Sequence, residues 1–327
     1  MKKALPLFLI CILICCGAHA QRTEVYNPHI HTVQVIANND YMAPAIIRLG
    51  EGETVEISFD HLTHDYHRYQ YVLTHCNADW TPSDLSETEY LDGFNDNPIE
   101  DHDISVNTTL PYTHYRLTLP NDQVRPKLSG NYRLLVYDDS EGKNKPAFST
   151  CFRILEKEVN ISAQVSSDTE IDRNKTHQQV SFSIQHKGYP IRNPQNEIRV
   201  HVLQDNRTDN EVTNLQPSYV GPDQLRYEHN RALIFPAGNE YRRFEMVSTR
   251  YASQGVESIR YHAPYYHVTL QPDQPRLLNY SYDQDQNGRF VIRYDEAVDN
   301  NTEADYLFVH FSLLWENPLT EGKFYLQ

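Results

Sequence analysis

Alternation of apolar and polar residues with a period of two runs through nearly the whole chain, and it restricts the fold more than any other property. Successive side chains of a strand point to opposite faces, so apolar residues at every second position mark a strand with one buried face. Val55, Ile57 and Phe59 alternate with polar neighbours, and Tyr69, Tyr71 and Leu73 repeat the pattern beyond a polar turn. Leu117 and Leu119 close another run at Pro120-Asn121. Tyr132, Leu134 and Val136 form a further one, followed by the turn-rich Asp138 to Pro146 and a strand at Phe148. Short strands separated by turn signals predict an all-β chain of tandem, Ig-like β-sandwich domains. The 23 tyrosines against 12 glycines agree, because Tyr favours strands and carries a polar tip. One short helix is expected within Pro82 to Leu91, with Ser83 as its N-cap and Glu87 in its first turn.

Charge and punctuation divide the chain. Lys2 and Lys3, the apolar run Ala4 to Cys16 and Ala18-His19-Ala20 have the three regions of a secretory signal peptide, placing residues 1–20 in a cleaved leader. A lipid anchor at Cys15 or Cys16 is the rival, but Ile14 stands where lipoprotein processing wants a small residue. Glu156-Lys157-Glu158 ends the first set of strands, giving an N-terminal sandwich over 21–157. Val159, Ile161, Ala163 and Val165 begin the second set, which continues through Phe182 and Ile184, Ile198 to Val202, Leu233 to Phe235, and Tyr266 to Leu270. Pro272 and Pro275 mark the end of a second domain, 158–274. Residues 275–327 are expected to begin a third, incomplete domain, with a hairpin from Tyr280 and Tyr282 through Asn287-Gly288 to Phe290, Ile292 and Tyr294.

Composition excludes several functions. Lys plus Arg is 29 against 44 Asp plus Glu, a net charge of −15, which argues against nucleic acid as a partner because phosphate binding needs clustered cations. No apolar run beyond the leader is long enough to span a bilayer as a helix. Cys76 and Cys151 remain after leader removal, and an exported chain allows them one disulfide, although Cys151 falls on the polar face of its strand with Ser149 and Arg153.

The chemically suggestive residues are weak as sites. His61, His64 and His67 are spaced by three with His75-Cys76 following, but strand–turn–strand scatters ligands that a helix would align. Asp283-x-Asp285-x-Asn287-Gly288 begins like a calcium loop, yet the twelfth position, where a bidentate Glu belongs, is Tyr294. No nucleophile elbow, zinc-protease helix, C-x-x-C or phosphate-binding glycine loop occurs, so no catalytic residue, metal or cofactor is assigned. The loop aromatics are more suggestive. Trp80 beside Pro82, with Tyr90 and Phe94 in Tyr90-Leu-Asp-Gly-Phe94, are candidate anchors for a partner, or else plugs for the open end of the sandwich.

These residues also carry a family resemblance. Tyr26 to Gln34 (YNPHIHTVQ), Ser58 to Leu62 (SFDHL), Tyr69 to Trp80 (YQYVLTHCNADW) and Glu89 to Phe94 (EYLDGF) resemble the plug proteins of the type IX secretion system of Bacteroidota. So do Ser105 to Pro120 (SVNTTLPYTHYRLTLP), Ser129 to Tyr137 (SGNYRLLVY) and Phe235 to Glu245 (FPAGNEYRRFE). The resemblance implies a periplasmic, all-β, non-enzymatic protein that binds the outer-membrane translocon barrel of that system and closes its periplasmic opening. It offers no catalytic residues. Cys151 stands where relatives are expected to carry a basic residue, and relatives are expected to continue past Gln327. A glycan-binding β-sandwich module, whose exposed rings stack on sugars, is the alternative from a different class, and a hydrolase on a β scaffold is a distant third.

Overall fold

The computed structural model describes residues 22–238, 240–274 and 285–314. The expected leader, the Tyr280–Tyr282 arm of the hairpin and the stretch from residue 315 to Gln327 lie outside the described residues. The chain is all-β, with sandwich-like units in tandem, and among the described residues no helix is long and apolar enough to cross a membrane.

The first unit pairs most of its strands in two sheets, with a two-stranded ribbon of Leu91–Gly93 and Val124–Pro126 beside them. In the six-stranded sheet, Gly130–Asp138 lies between Pro146–Leu155 and Tyr69–Cys76. Glu24–Val25 and Ile46–Arg48 both pair with Pro146–Leu155, the latter in parallel, and Asn97–Pro98 pairs with Tyr69–Cys76. The four-stranded sheet runs Ile30–Ala37, Val55–His61, Thr113–Leu119, Asp101–Ile104. The apolar members of each alternating run face the opposite sheet: Tyr69, Tyr71, Leu73, Tyr132, Leu134, Val136, Phe148 and Phe152 from one, Val55, Ile57, Phe59, Tyr115 and Leu119 from the other. Phe59 is central. Its ring stacks on Tyr115 at 5.1 Å between centroids and meets Tyr69 and Phe148 edge-on at 5.0 and 4.9 Å, the offset and T-shaped geometries that aromatic quadrupoles prefer.

Tyrosine is thus chiefly a core residue here, and each buried phenol needs a partner. Tyr69 Oη lies 3.1 Å from His61 Nδ1, Tyr71 Oη accepts from Asn121 Nδ2 at 3.0 Å, and Tyr132 Oη donates to the Leu128 carbonyl at 2.8 Å. Tyr115 Oη both donates to the His67 carbonyl and accepts its N–H, at 3.1 Å each.

The second region is an antiparallel sheet of Asn160–Ser166, His177–Gln185, Gln224–Tyr227 and Tyr219–Val220, with Ile234–Pro236 pairing the start of His177–Gln185. Phe182, Ile184, Leu215, Leu225, Tyr227 and Leu233 form its core. The Ile198–Val202 run does not become a strand: it makes one bridge, Val202 to Val212, and packs over that core as irregular chain. Asn160–Ser166 is a strand as expected, but it is the sheet edge and Ile161 and Val165 are exposed.

The last part departs further from expectation. Val256–His262 and Tyr265–Leu270 form a hairpin, and Leu307–His310 pairs in parallel with Tyr265–Leu270. The division expected at residue 274 therefore falls between paired strands. Asn287 and Gly288 adopt φ of +51° and +75°, the left-handed pair of a tight hairpin turn, but the residues after them form no strand.

Two measurements follow. Phe59→Ala leaves a cavity between the sheets and is expected to cost about 3–5 kcal/mol in urea unfolding. His61 is buried against His67, with ring centroids 4.1 Å apart, and burial first, then the neighbouring imidazoles, lowers its pKa from 6.5 to about 4. The folded state thus holds His61 neutral while the unfolded chain protonates it near 6.5, so its contribution is complete above that pH and is lost as pH falls toward 4. Tm is expected to fall across that window, and His61→Gln to flatten the slope in thermal melts.

Candidate partner-binding site

The residues singled out as anchors occupy one connection, from the end of Tyr69–Cys76 to Asn97–Pro98. Thr-Pro-Ser following Trp80 does not start a helix, because Pro82 bridges back to Cys76 and the Ser83 N–H donates to the His75 carbonyl at 2.9 Å. Ser83 Oγ lies 2.9 Å from His75 Nδ1. The helix is a single turn, Glu87–Tyr90, capped by Ser86 rather than Ser83. The Glu89 carboxylate accepts the Ser86 N–H and hydroxyl, both at 2.7 Å, as in a capping box.

Trp80 and Tyr90 are not surface anchors. Trp80 is 3% exposed and Tyr90 5%, whereas Phe94 is 85% exposed. Tyr90 packs with His75 and Tyr132, and its hydroxyl donates to the Leu73 carbonyl at 3.2 Å. Trp80 adopts φ +65° in a turn closed by hydrogen bonds between Asn77 and Thr81, and its carbonyl accepts from Arg133 Nη2 at 3.1 Å. The Arg153 guanidinium lies 5.2 Å from the centre of its ring. Trp80 also lines a cavity of about 770 Å³ together with Arg199, His201 and Glu211 of the second region. It belongs to the seam between the two regions, an outcome neither alternative from the sequence anticipated.

Phe94 remains, and its setting is rigid. Gly93, at φ +99°, lies so close to Gln123 that a Cβ there would come 2.0 Å from the Gln123 carbonyl oxygen, so only glycine fits. The Leu91–Gly93 strand pairs with Val124–Pro126 on the same side. Beyond the ring, Asn95 joins the edge of the Tyr69–Cys76 strand: its Oδ1 accepts the Leu73 N–H and its Nδ2 donates to the Leu73 carbonyl, both at 2.8 Å. Asn97 Nδ2 donates to the Phe94 carbonyl at 2.6 Å. Asp96, at φ +90°, accepts from the Tyr137 hydroxyl and pairs with Lys143 Nζ at 2.8 Å. Burial pushes the Asp96 carboxyl up, but the lysine and tyrosine outweigh it and hold the carboxyl below its usual value. Gly93, Asn95, Asp96 and Asn97 are the supporting residues that sequence reasoning missed. A glycine directly before an aromatic, followed by Asn-Asp-Asn, was the signal present.

Cys76 and Cys151 do not pair. They lie on the two strands flanking Gly130–Asp138, opposite Asn131 and Arg133. An intervening strand puts them roughly 10 Å apart, twice the interstrand spacing, which exceeds disulfide reach. Burial raises both thiol pKa values, that of Cys151 to about 11. Among the described residues no three His, Cys, Asp or Glu side chains are arranged to hold a metal. His67 Nδ1 lies 2.7 Å from Asp138, and His64 Nε2 lies 2.9 Å from Ser105. Asp283 of the calcium-like motif lies outside the described residues, and Asp285 caps the backbone N–H groups of Tyr241 and Asn287.

Comparison with known proteins bears on this site. Residues 30–156 match the type 9 secretion system plug protein 1st domain. The crystal structure of a hypothetical protein from Parabacteroides merdae is 48% identical, with a TM-score of 0.87 over 91% of this chain and 75% of that one. A Pseudomonas fluorescens alkylpurine DNA glycosylase bound to DNA shares 12% identity over 39% of this chain and 30% of that one, with a TM-score of 0.22, which is no structural likeness. None of the curated proteins compared matches.

Trp80→Ala is expected to cost about 3–5 kcal/mol in thermal or urea unfolding, as a buried ring does. Gly93→Ala, which forces the loop off Gln123, is expected to cost about 1–3 kcal/mol by the same measurement.

Proposed function

We propose, from the chain's membership of the type 9 secretion system plug protein family, that it is a non-enzymatic periplasmic plug which binds the outer-membrane translocon barrel and closes its periplasmic opening. The single observation that carries the contact site is Phe94: a large apolar ring left in water on a loop that is held from both sides. Exposing such a ring contributes little to folding, and fixing it in place lowers the entropy lost on association, so the arrangement suits a binding anchor. In this reading residues 1–20 are the export leader, 21–157 form the partner-facing domain, and the acidic body keeps the rest of the surface soluble and away from nucleic acid. The chain needs no cofactor for this role.

The glycan-binding alternative loses Trp80 and Tyr90 as stacking surfaces, because both are buried. Phe94→Ala is expected to weaken capture of the translocon from solubilised outer membranes by about 10- to 100-fold while leaving Tm unchanged. Undiminished capture by Phe94→Ala would remove the loop from the interface. Retention of the wild-type protein on a glycan column with no barrel partner would overturn the plug reading itself.

A further inference from the structure

The four-stranded sheet of the first sandwich has an outer face that alternation assigns to solvent. Asp60 and His114 alternate with the core-facing Phe59 and Tyr115, so they point away from the core. Yet Asp60 is 3% exposed and His114 2%. The two lie opposite each other in register, with His114 Nδ1 2.6 Å from Asp60 Oδ1.

Asp60 is covered by a segment nearly 250 residues further along the chain. Tyr306 Oη donates to Asp60 Oδ2 at 2.6 Å and lies 2.5 Å from Thr32 Oγ1. Thr32 sits at a register break in Ile30–Ala37 with φ +53°. The Tyr306 ring meets Tyr112 and His31 edge-on at 5.5 and 5.8 Å. Around it, the Asp305 carboxylate accepts from the Thr109 N–H and hydroxyl at 3.0 and 2.9 Å. Tyr112 Oη donates to the Ala304 carbonyl, and the Val106 N–H to the Thr302 carbonyl, both at 2.8 Å. No strand pairs across this contact among the described residues. Directly after Tyr306 the chain enters Leu307–His310, the parallel member of the hairpin sheet.

We infer that Thr302–Tyr306 is a releasable clasp, with Tyr306 as its bolt, which fastens the hairpin sheet to the outer face of the first sandwich and can open while the sandwich stays folded. The receiving site is built by the sandwich alone. Asp60 and His114 are positioned by the ladder between Val55–His61 and Thr113–Leu119, whichever way the downstream segment lies. The aromatic core around Phe59 is on the other face of that sheet, so undocking removes none of its contacts. The bolt itself is a few side-chain hydrogen bonds, of which the one to the buried carboxylate is the strongest kind. Opening lets water reach Asp60, while the chain just upstream stays tied to the sandwich by Gln34 Nε2, which donates to the Phe290 carbonyl at 2.8 Å, and by Arg289, which donates to the Met42 carbonyl. The inference is independent of the partner proposed above, because Phe94 lies along the edge of the six-stranded sheet.

Hydrogen exchange read by mass spectrometry on the full chain tests it. Tyr306→Phe keeps the ring and removes the hydroxyl. Exchange over residues 302–310 is expected to rise roughly 10- to 100-fold, while Tyr69–Cys76 and Gly130–Asp138 keep their protection. Unchanged exchange at 302–310 would overturn the clasp. So would a rise shared equally by the core strands, since Tyr306 would then be an integral part of the sandwich. The wild-type protein gives a second reading that survives a variant that fails to fold: residues 302–310 should exchange faster than the core strands, and equal protection would also overturn the inference. Capture of the translocon through Phe94 is scored separately and decides neither outcome.

Discussion

A phenol hydroxyl taken out of water must find a partner, and the first sandwich is organised around that requirement. Its largest fully buried side chains are tyrosines, and their hydroxyls reach past the core to the connections around it. Tyr71 fixes Asn121, and the loop containing Asn121 carries the Gln123 carbonyl against which Gly93 is pressed. Tyr137 fixes Asp96 on the far side of Phe94, and Tyr90 reaches back to Leu73. Tyr115 ties the turn at His67, while the Tyr112 hydroxyl makes one hydrogen bond of the clasp. A core of leucine and valine would fill the same space without tethering any of these loops. The tyrosine excess is therefore the means by which a rigid interior imposes a shape on the surface.

The strands of the first sandwich were legible because the period of two is set by backbone geometry. Val55–His61, Tyr69–Cys76 and Gly130–Asp138 stand where the alternation of Val55-Ile57-Phe59, Tyr69-Tyr71-Leu73 and Tyr132-Leu134-Val136 placed them. What alternation does not report is what lies over each face. Asp60 looks like a solvent-facing residue and is covered by Tyr306; Ile161 and Val165 look like core residues and stand on an uncovered edge. Both outcomes depend on segments distant in sequence. The disulfide failed for a related reason, since which strand lies between Cys76 and Cys151 is a matter of sheet order.

The loop aromatics show the same limit at the level of the site. Trp80, Tyr90 and Phe94 are alike in composition and close in sequence, but the turn at Asn77–Thr81 carries Trp80 into the seam and the one-turn helix carries Tyr90 inward. Phe94 alone is turned outward, by the backbone geometry that Gly93 permits. The match of residues 30–156 to the plug protein 1st domain, by contrast, agrees with the resemblance read from the sequence, which rests on contiguous motifs rather than on packing.

The fixed posture of Phe94 has a kinetic consequence. A ring on a mobile loop must be ordered during each encounter, which slows productive docking and leaves every partner residue some slack. A ring already held in place meets its receptor as one rigid body with another, so collision geometry and charge set the rate of association. Differences in affinity among related partners would then be expressed as differences in residence time. In the proposed plug role, the lifetime of the contact rather than the speed of encounter is then what the partner's residues would set.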